Sequence, residues 1–367
     1  MMSSPSSLDV LLQVTLIGMS VSTSAYGLRL PALLTGNSRS RDSVSKNVCA
    51  SMSMYSSSGA SFSSDLTPYI NHVKRCNRGK EERKSFVPFL VDNVKVGFIH
   101  PSFMQHLIPF SDVFAVTKGK RDDADSYALS DTVVTLHHDL KSEADRTSSV
   151  NRCLKTLNEK GIIPGWRDEM YPVVNSFGAS PFFSLERAAV PYFGTKAYGV
   201  HMNGFSVDSN GKRYLWVARR SMNKQTFPGM LDHVVAGGQS VGLSVRENVI
   251  KECEEEASIC QEIAERALPV SAVSYEDIDS SRFKRDVLFC YDLELPLDFK
   301  PFNQDGEVDS FMVLPVEEIK QILESTESYK PNCALVVIDF LIRHGYIAPD
   351  QPGYLELLSS LRQGECS

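Results

Sequence analysis

The sequence lacks any apolar run approaching the about 20 residues that a membrane-crossing helix needs. It lacks a C-x-x-C pair. The eight cysteines (Cys49, Cys76, Cys153, Cys253, Cys260, Cys290, Cys333 and Cys366) are scattered, which indicates neither a zinc ribbon nor a disulfide framework and fits free thiols in a reducing compartment. The eight histidines show no H-x-E or H-E-x-x-H spacing, so a zinc reading is not supported, and His137-His138 reads as a loop or strand end. No G-x-x-x-x-G-K-[ST] loop occurs, which argues against P-loop chemistry. An excess of positive charge is also missing. The net charge is -7, and nothing in that balance points to nucleic acid.

Acids are scarce in residues 1–64, which hold only Asp9 and Asp42 beside Arg29, Arg39, Arg41, Lys46 and many serines. A Ser-rich, basic, acid-poor stretch is the composition of an organelle transit peptide. A chloroplast is the expected destination, with the mitochondrion as the alternative. A disordered tail without an address would share this composition.

The remaining chain has an ordinary globular balance, with 42% hydrophobic residues overall and length for about two domains. Helical spacing of Leu66, Ile70 and Val73 predicts a helix over 65–75. Two short strands, 86–91 and 94–99, flank an Asp92-Asn93 turn. Further strands are expected at 113–116 and 132–136, and a helix at 142–160 that stops at Gly161. These make an α+β module over 65–194. Its last part, from Gly165 to Gly194, is rich in Pro, Gly and aromatics and reads as a junction. A second module over 195–348 interleaves strands and helices and is expected to be an α/β/α sandwich around a mixed sheet. It opens with strands 198–207 and 213–218 around an Asn210-Gly211 turn. Residues 349–367 are expected to be a tail or helix.

The segment GGQSVGLSVRENVIKECEEEASI, residues 237–259, carries the chemistry. Gly237 and Gly238 predict a tight loop where backbone approaches a ligand. Ser244 and Glu247 form an S-x-x-E capping box that fixes a helix start. Val245, Val249, Cys253 and Ala257 recur every four residues as a buried stripe. Glu252 and Glu256 share one side of that helix, and Glu255 projects nearby. Three adjacent carboxylates repel one another, and a hard cation relieves that repulsion. Mg²⁺ and Mn²⁺ take carboxylate oxygens together with substrate phosphates, so the pattern suits hydrolysis of a phosphoanhydride. A solvated acidic face is the plain alternative for EEE alone. The glycines, the cap and the spacing together favour a site.

These residues resemble the Nudix box, G-x5-E-x7-R-E-U-x-E-E-x-G-U, in which U is a bulky apolar residue. Gly237, Glu252, Glu255, Glu256 and Ile259 match it. Four positions depart: Leu243 stands for Glu, Lys251 for Arg, Cys253 for an apolar residue and Ser258 for Gly. Lysine keeps the charge of arginine but loses its bidentate fork, which weakens the expected hold on the glutamates. The resemblance implies a pyrophosphohydrolase with Mg²⁺ or Mn²⁺ bound by Glu252, Glu255 and Glu256. It also implies an acid beyond the box, for which Glu307 is the candidate as metal ligand or base.

The run LWVARRSMNKQTFPGMLDHVVAGG, residues 215–238, together with VIKECEEEAS, is similar to a branch of plant chloroplastic Nudix hydrolases and fungal thiamin pyrophosphokinase-related proteins that carry an extra N-terminal domain. That branch implies thiamin diphosphate-like or damaged thiamin diphosphate substrates, cut to monophosphates. Two alternatives stay open: hydrolysis of nucleoside diphosphate derivatives, and a non-catalytic binding module. Candidate substrate contacts are Arg219, Arg220, Lys224, Gly237 and Gly238, with Arg282, Lys284 and Arg285 as further cations. Trp166, Tyr192 and Phe193 are candidates for stacking on a ring. The expected partner is a small diphosphate, with no nucleic acid and no membrane. The N-terminal module is expected to close over the substrate and set specificity.

Overall fold

The computed structural model describes residues 65–118, 132–304 and 306–364. The stretch read as a transit peptide lies outside them. No described helix is long and apolar enough to cross a membrane.

Helix α1 (Thr67–Cys76) opens the described chain, followed by strands β1 (Val87–Val91) and β2 (Val94–Ile99). Asp92 and Asn93 both take positive φ, 51° and 64°, as a tight two-residue hairpin turn requires. Helix α2 (Pro101–Leu107) was not expected; it is short and starts on a proline. Strands β3 (Phe114–Lys118) and β4 (Thr132–Leu136) complete a four-stranded sheet in the order β2-β1-β4-β3. Helix α3 (Glu143–Glu159) starts on a Ser142 capping box, buries Val150, Leu154 and Leu157, and ends before Gly161 at φ 70°.

The segment expected to be a junction is structured. It forms an antiparallel hairpin of β5 (Met170–Val173) and β6 (Phe183–Glu186). Tyr171, Val173, Phe183 and Leu185 belong to the same core as α3 and the first sheet. Proline and glycine marked its turns and obscured its strands.

Strands β7 (Lys196–Val207), β8 (Arg213–Arg220), β9 (Leu231–His233) and β10 (Val235–Gly238) lead into helix α4 (Val245–Ala257). Then come β11 (Leu268–Asp279), β12 (Arg282–Glu294), β13 (Val308–Pro315) and helices α5 (Val316–Ser325), α6 (Pro331–Arg343) and α7 (Tyr354–Ser360). The large sheet runs β11-β12-β7-β8-β13, with β10 on β7 and β9 on β8. It is mixed: β12 runs parallel to β7 from Arg285↔Lys196 to Glu294↔Phe205. Helix α4 covers one face through Val249, Cys253 and Ala257 against Val200, Met202 and Trp216. Helices α5 and α6 cover the other. The expected α/β/α sandwich is therefore present.

Two further features depart from the sequence reading. Strand β11 was missed because Ser274, Glu276, Asp277 and Asp279 crowd around its Tyr275 and Ile278 and break hydrophobic alternation; Ser274 and Glu276 are nevertheless buried. Helix α1 does not pack with the module that follows it. Its Leu66, Tyr69 and Val73 join the core of α5 and α6 instead, because their apolar face fits the surface those helices leave open. The C-terminal segment is equally tied in. Arg362 bridges to Ser274 of β11, and its guanidinium meets Asp339 at 2.6 Å.

Asp339, only 1% exposed, also accepts from Arg343 at 2.7 Å and Ser271 at 3.0 Å. Hydrogen bonds to a charged group contribute more than neutral ones, and leaving their partners unmatched is costly. Asp339→Ala is expected to lower unfolding free energy by about 3 kcal/mol in urea titration. The same change should raise amide exchange first in α7, whose anchor at Arg362 it removes.

Candidate active site

The capping box places α4 as expected: Ser244 accepts from the Glu247 N–H at 3.2 Å, and Glu247 accepts from the Ser244 N–H at 2.8 Å. The helix ends at Ser258, which takes the left-handed φ of 53° where the Nudix box has glycine. Its hydroxyl donates to the Phe302 carbonyl at 2.8 Å, tying this strained cap to the loop before β13.

Gly237 and Gly238 correct the sequence reading. They are the end of strand β10, and neither has positive φ. The glycine of the loop at positive φ is Gly242, at 89°. What demands glycine at Gly237 is the Glu252 side chain, which fills the space where a Cβ would project. At Gly238 the Tyr171 hydroxyl fills it. Asn248 then donates to the Gly238 carbonyl at 2.8 Å and fastens helix to strand.

The three glutamates face one cavity of about 640 Å³ but do not converge on a point. Glu252 is 13% exposed and Glu255 is 51% exposed. Glu256 points inward, and its carboxylate accepts the Ala236 N–H at 2.7 Å. Lys251, standing for the arginine of the box, reaches both Glu255 at 2.6 Å and Glu252 at 3.3 Å. Burial pushes the Glu256 carboxyl well above the usual carboxylate range, against the opposing Ala236 bond. Burial raises Glu252 too, with Lys251 opposing. Two buried carboxylates that resist ionisation, with a third at the cavity mouth, fit a hard divalent cation, which would stabilise the charged forms.

Glu307 borders the same cavity, paired with Lys224. Burial would raise its carboxyl, but Lys224, Arg220 and Arg187 outweigh it and hold it below the usual range. Its neighbour Asp305 lies outside the described residues. Arg220 borders this cavity too and is held there, donating to Asp232 at 2.7 Å and to the Phe227 carbonyl at 3.1 Å. Arg219 is exposed, donates to the Gly229 carbonyl at 3.0 Å and borders neither cavity described here. Lys284 and Arg282 do border the cleft, whereas Arg285 is buried against Glu276 and Gly194. The expected stacking residues are not there. Phe193 is core, Tyr192 packs on Phe103, and Trp166 donates to Asp168 at 2.7 Å.

Sequence reasoning missed what the β5–β6 hairpin brings. Arg167 and Arg187 border both the acidic cavity and an adjoining one of about 540 Å³. Arg187 is held by Glu169 at 2.6 Å, and Glu169 also accepts from the Ser240 hydroxyl. The Val241 N–H donates to the Met170 carbonyl at 3.0 Å. The adjoining cavity is lined by Tyr171, Tyr198, Val190, Pro191 and Leu288, so it is the more apolar end of one cleft. Lys330 borders both ends. No spacing rule could pair residues 167 and 187 with residues 252–256; only the packing of the hairpin does.

A family model described as NUDIX domain matches residues 198–333, and one described as a domain of unknown function, DUF4743, matches residues 68–197. The chain belongs to the Nudix hydrolases, enzymes that cleave pyrophosphate bonds. Its relatives narrow the branch. It is 52% identical over 307 residues to the chloroplastic Nudix hydrolase 20 of Arabidopsis thaliana, covering 83% of this chain and 80% of the relative. It is 50% identical over 305 residues to Nudix hydrolase 24, also chloroplastic, with the same coverage of 83% and 80%. An uncharacterized protein of Saccharomyces cerevisiae is 40% identical over 248 residues, 62% of this chain and 71% of that one. The two plant relatives agree with the expected chloroplast location.

Gly237→Ala tests the close packing of strand and helix. The added methyl must displace the Glu252 carboxylate, and misplacing a reacting group by about 1 Å costs roughly 100-fold in rate. The expected result is a kcat lowered by about that factor with unchanged far-ultraviolet circular dichroism. Lys251→Ala, by contrast, should raise the metal concentration needed for half-maximal rate, and Lys251→Arg should restore it.

Proposed function

We propose that the cleft cuts the diphosphate of a thiamin diphosphate-like or damaged thiamin diphosphate metabolite, releasing the monophosphate. The observation that carries this reading is the cleft's division into two ends. Glu252, Glu255, Glu256 and Glu307 line one, Tyr171, Tyr198, Val190 and Leu288 the other, and Arg167, Arg187, Lys330 and the bare backbone of Gly237 and Gly238 are shared by both. A flat, partly apolar head with a diphosphate tail matches that division.

Glu252, Glu255 and Glu256 are the residues that would hold Mg²⁺ or Mn²⁺. The bound ion supplies charge neutralisation at the phosphate oxygens and lowers the pKa of water. Arg187 and Arg167, carried by the N-terminal module, bind the phosphate oxygens from the opposite wall. Arginine suits this task because its planar fork meets two oxygens at once. Lys284 and Lys330 add charge without that geometry. Glu307, ionised and oriented by Lys224, takes the proton of the attacking water. Tyr171 and Tyr198 receive the head group. The N-terminal module thereby contributes to specificity, as its arginines and Tyr171 line the cleft.

A phosphate-release screen with each metal tests the reading. Its substrates are thiamin diphosphate, its oxo and oxy analogues, ADP-ribose, NADH and nucleoside diphosphate sugars. Preference for the thiamin set is expected; preference for ADP-ribose or a nucleotide sugar would move the assignment to nucleoside diphosphate derivatives. Glu256→Gln should abolish metal-dependent release, and release that survives it would remove this helix from the mechanism. Arg187→Ala should raise KM at least 10-fold with a smaller change in kcat, by loss of a charge-assisted contact of about 1.5–3 kcal/mol, and Arg187→Lys should recover part of it.

A further inference from the structure

Three side chains far apart in sequence meet behind the cleft: His201 on β7, His233 at the end of β9, and Cys333 in the first turn of α6. Their potential ligand atoms lie within 4.8 Å of one another. All three are buried, the histidines to 5% exposure and the cysteine to 0%. The two imidazole rings stand nearly perpendicular, at 86°, with their Nδ1 atoms 3.4 Å apart. Cys333 Sγ is 3.8 Å from His201 Nδ1.

We propose that His201, His233 and Cys333 form a second metal site, separate from the glutamates of α4, that takes a tetrahedral Zn²⁺ ion. The distances match those expected between ligands of one ion. An N–H···N bond spans about 2.7–3.2 Å, so 3.4 Å between the two nitrogens is long for one. Zinc–nitrogen bonds of about 2.0–2.1 Å at a tetrahedral angle put two nitrogens about 3.4 Å apart. A zinc–sulfur bond of about 2.3 Å puts nitrogen and sulfur about 3.6 Å apart, near the 3.8 Å found. Two imidazoles and one thiolate are the donor set that zinc favours over Mg²⁺.

Burial and then Asp232 push the Cys333 thiol well up, so the ion itself would hold the thiolate, helped by the helix terminus and the cations nearby. Cys333 sits at a helix N-terminus, whose dipole favours an anion. Its thiol now donates to Asp232 at 2.7 Å. After that proton leaves, Asp232 keeps Arg220 at 2.7 Å, Lys330 at 3.3 Å and the His233 N–H at 2.8 Å. These two cations leave the centre positive, which favours an anion over neutral water in the fourth position. His201 and Lys330 both border the cleft from which such an anion would come. The ion would tie strands β7 and β9 to the start of α6, the segment that carries Lys330.

The test is metal analysis of the full chain after incubation with Zn²⁺ and gel filtration. About one zinc per chain is expected, retained in Glu252→Gln/Glu256→Gln and lost in His233→Ala and Cys333→Ser. Co²⁺ should give a thiolate charge-transfer band in the native chain, a readout that stands even if those variants fail to fold. Native chain free of zinc and without the band would overturn the proposal. So would folded Cys333→Ser that keeps the ion, or zinc that leaves with the glutamates.

Discussion

The close contact of helix α4 with strand β10 is the constraint on which the cleft depends. Glu252 occupies the place of a side chain at Gly237, and Tyr171 that of a side chain at Gly238. Two glycines in a row weaken a strand, since they bring no packing and much backbone entropy. Here that cost is offset by what their bareness admits. The acidic helix can lie against backbone, with Glu256 taking the Ala236 N–H. The hairpin of the other module can reach the same strand from the opposite direction. The elements that position carboxylates and the elements that position arginines therefore meet at two residues without side chains.

How much of this was readable from residue order depended on range. The capping box at Ser244, the stripe Val249–Cys253–Ala257 and the hairpin turn at Asp92-Asn93 are local signals, and each is present where it was expected. The role of the glycines was misread, because a Gly-Gly pair looks the same whether it needs positive φ or empty space. Strand β11 escaped notice because polar residues such as Ser274 and Glu276 are buried there by partners distant in sequence. Arg187 and Arg167 carry no signal at all until β5 and β6 pair. His201, His233 and Cys333 are a further case: ligand spacing detects sites formed within one element, and these three lie on three elements.

The substitution of lysine for arginine at Lys251 shows how a departure from a motif can be absorbed. One ammonium cannot fork as a guanidinium does. It nonetheless reaches Glu255 one turn on and Glu252 beside it. Ser258 similarly accepts a conformation that glycine adopts freely, and its hydroxyl bond to Phe302 compensates. In both places a single side chain takes over part of what the motif's usual residue supplies.

Helix α1 has a consequence for how the molecule assembles. It precedes the four-stranded sheet in the chain, yet its apolar face is buried by α5 and α6, more than 240 residues later, where Tyr69 also reaches Glu324 across a separation of 255 residues. The large sheet in turn closes its β11 edge with the segment at Arg362. The second module cannot cover the faces of α5 and α6 while α1 is missing. Folding in the order of synthesis, one module after the next, would leave α1 waiting with an exposed apolar stripe until the far end of the chain arrives. The two family-matched regions are thus successive in sequence, yet the first lends a helix to the core of the second.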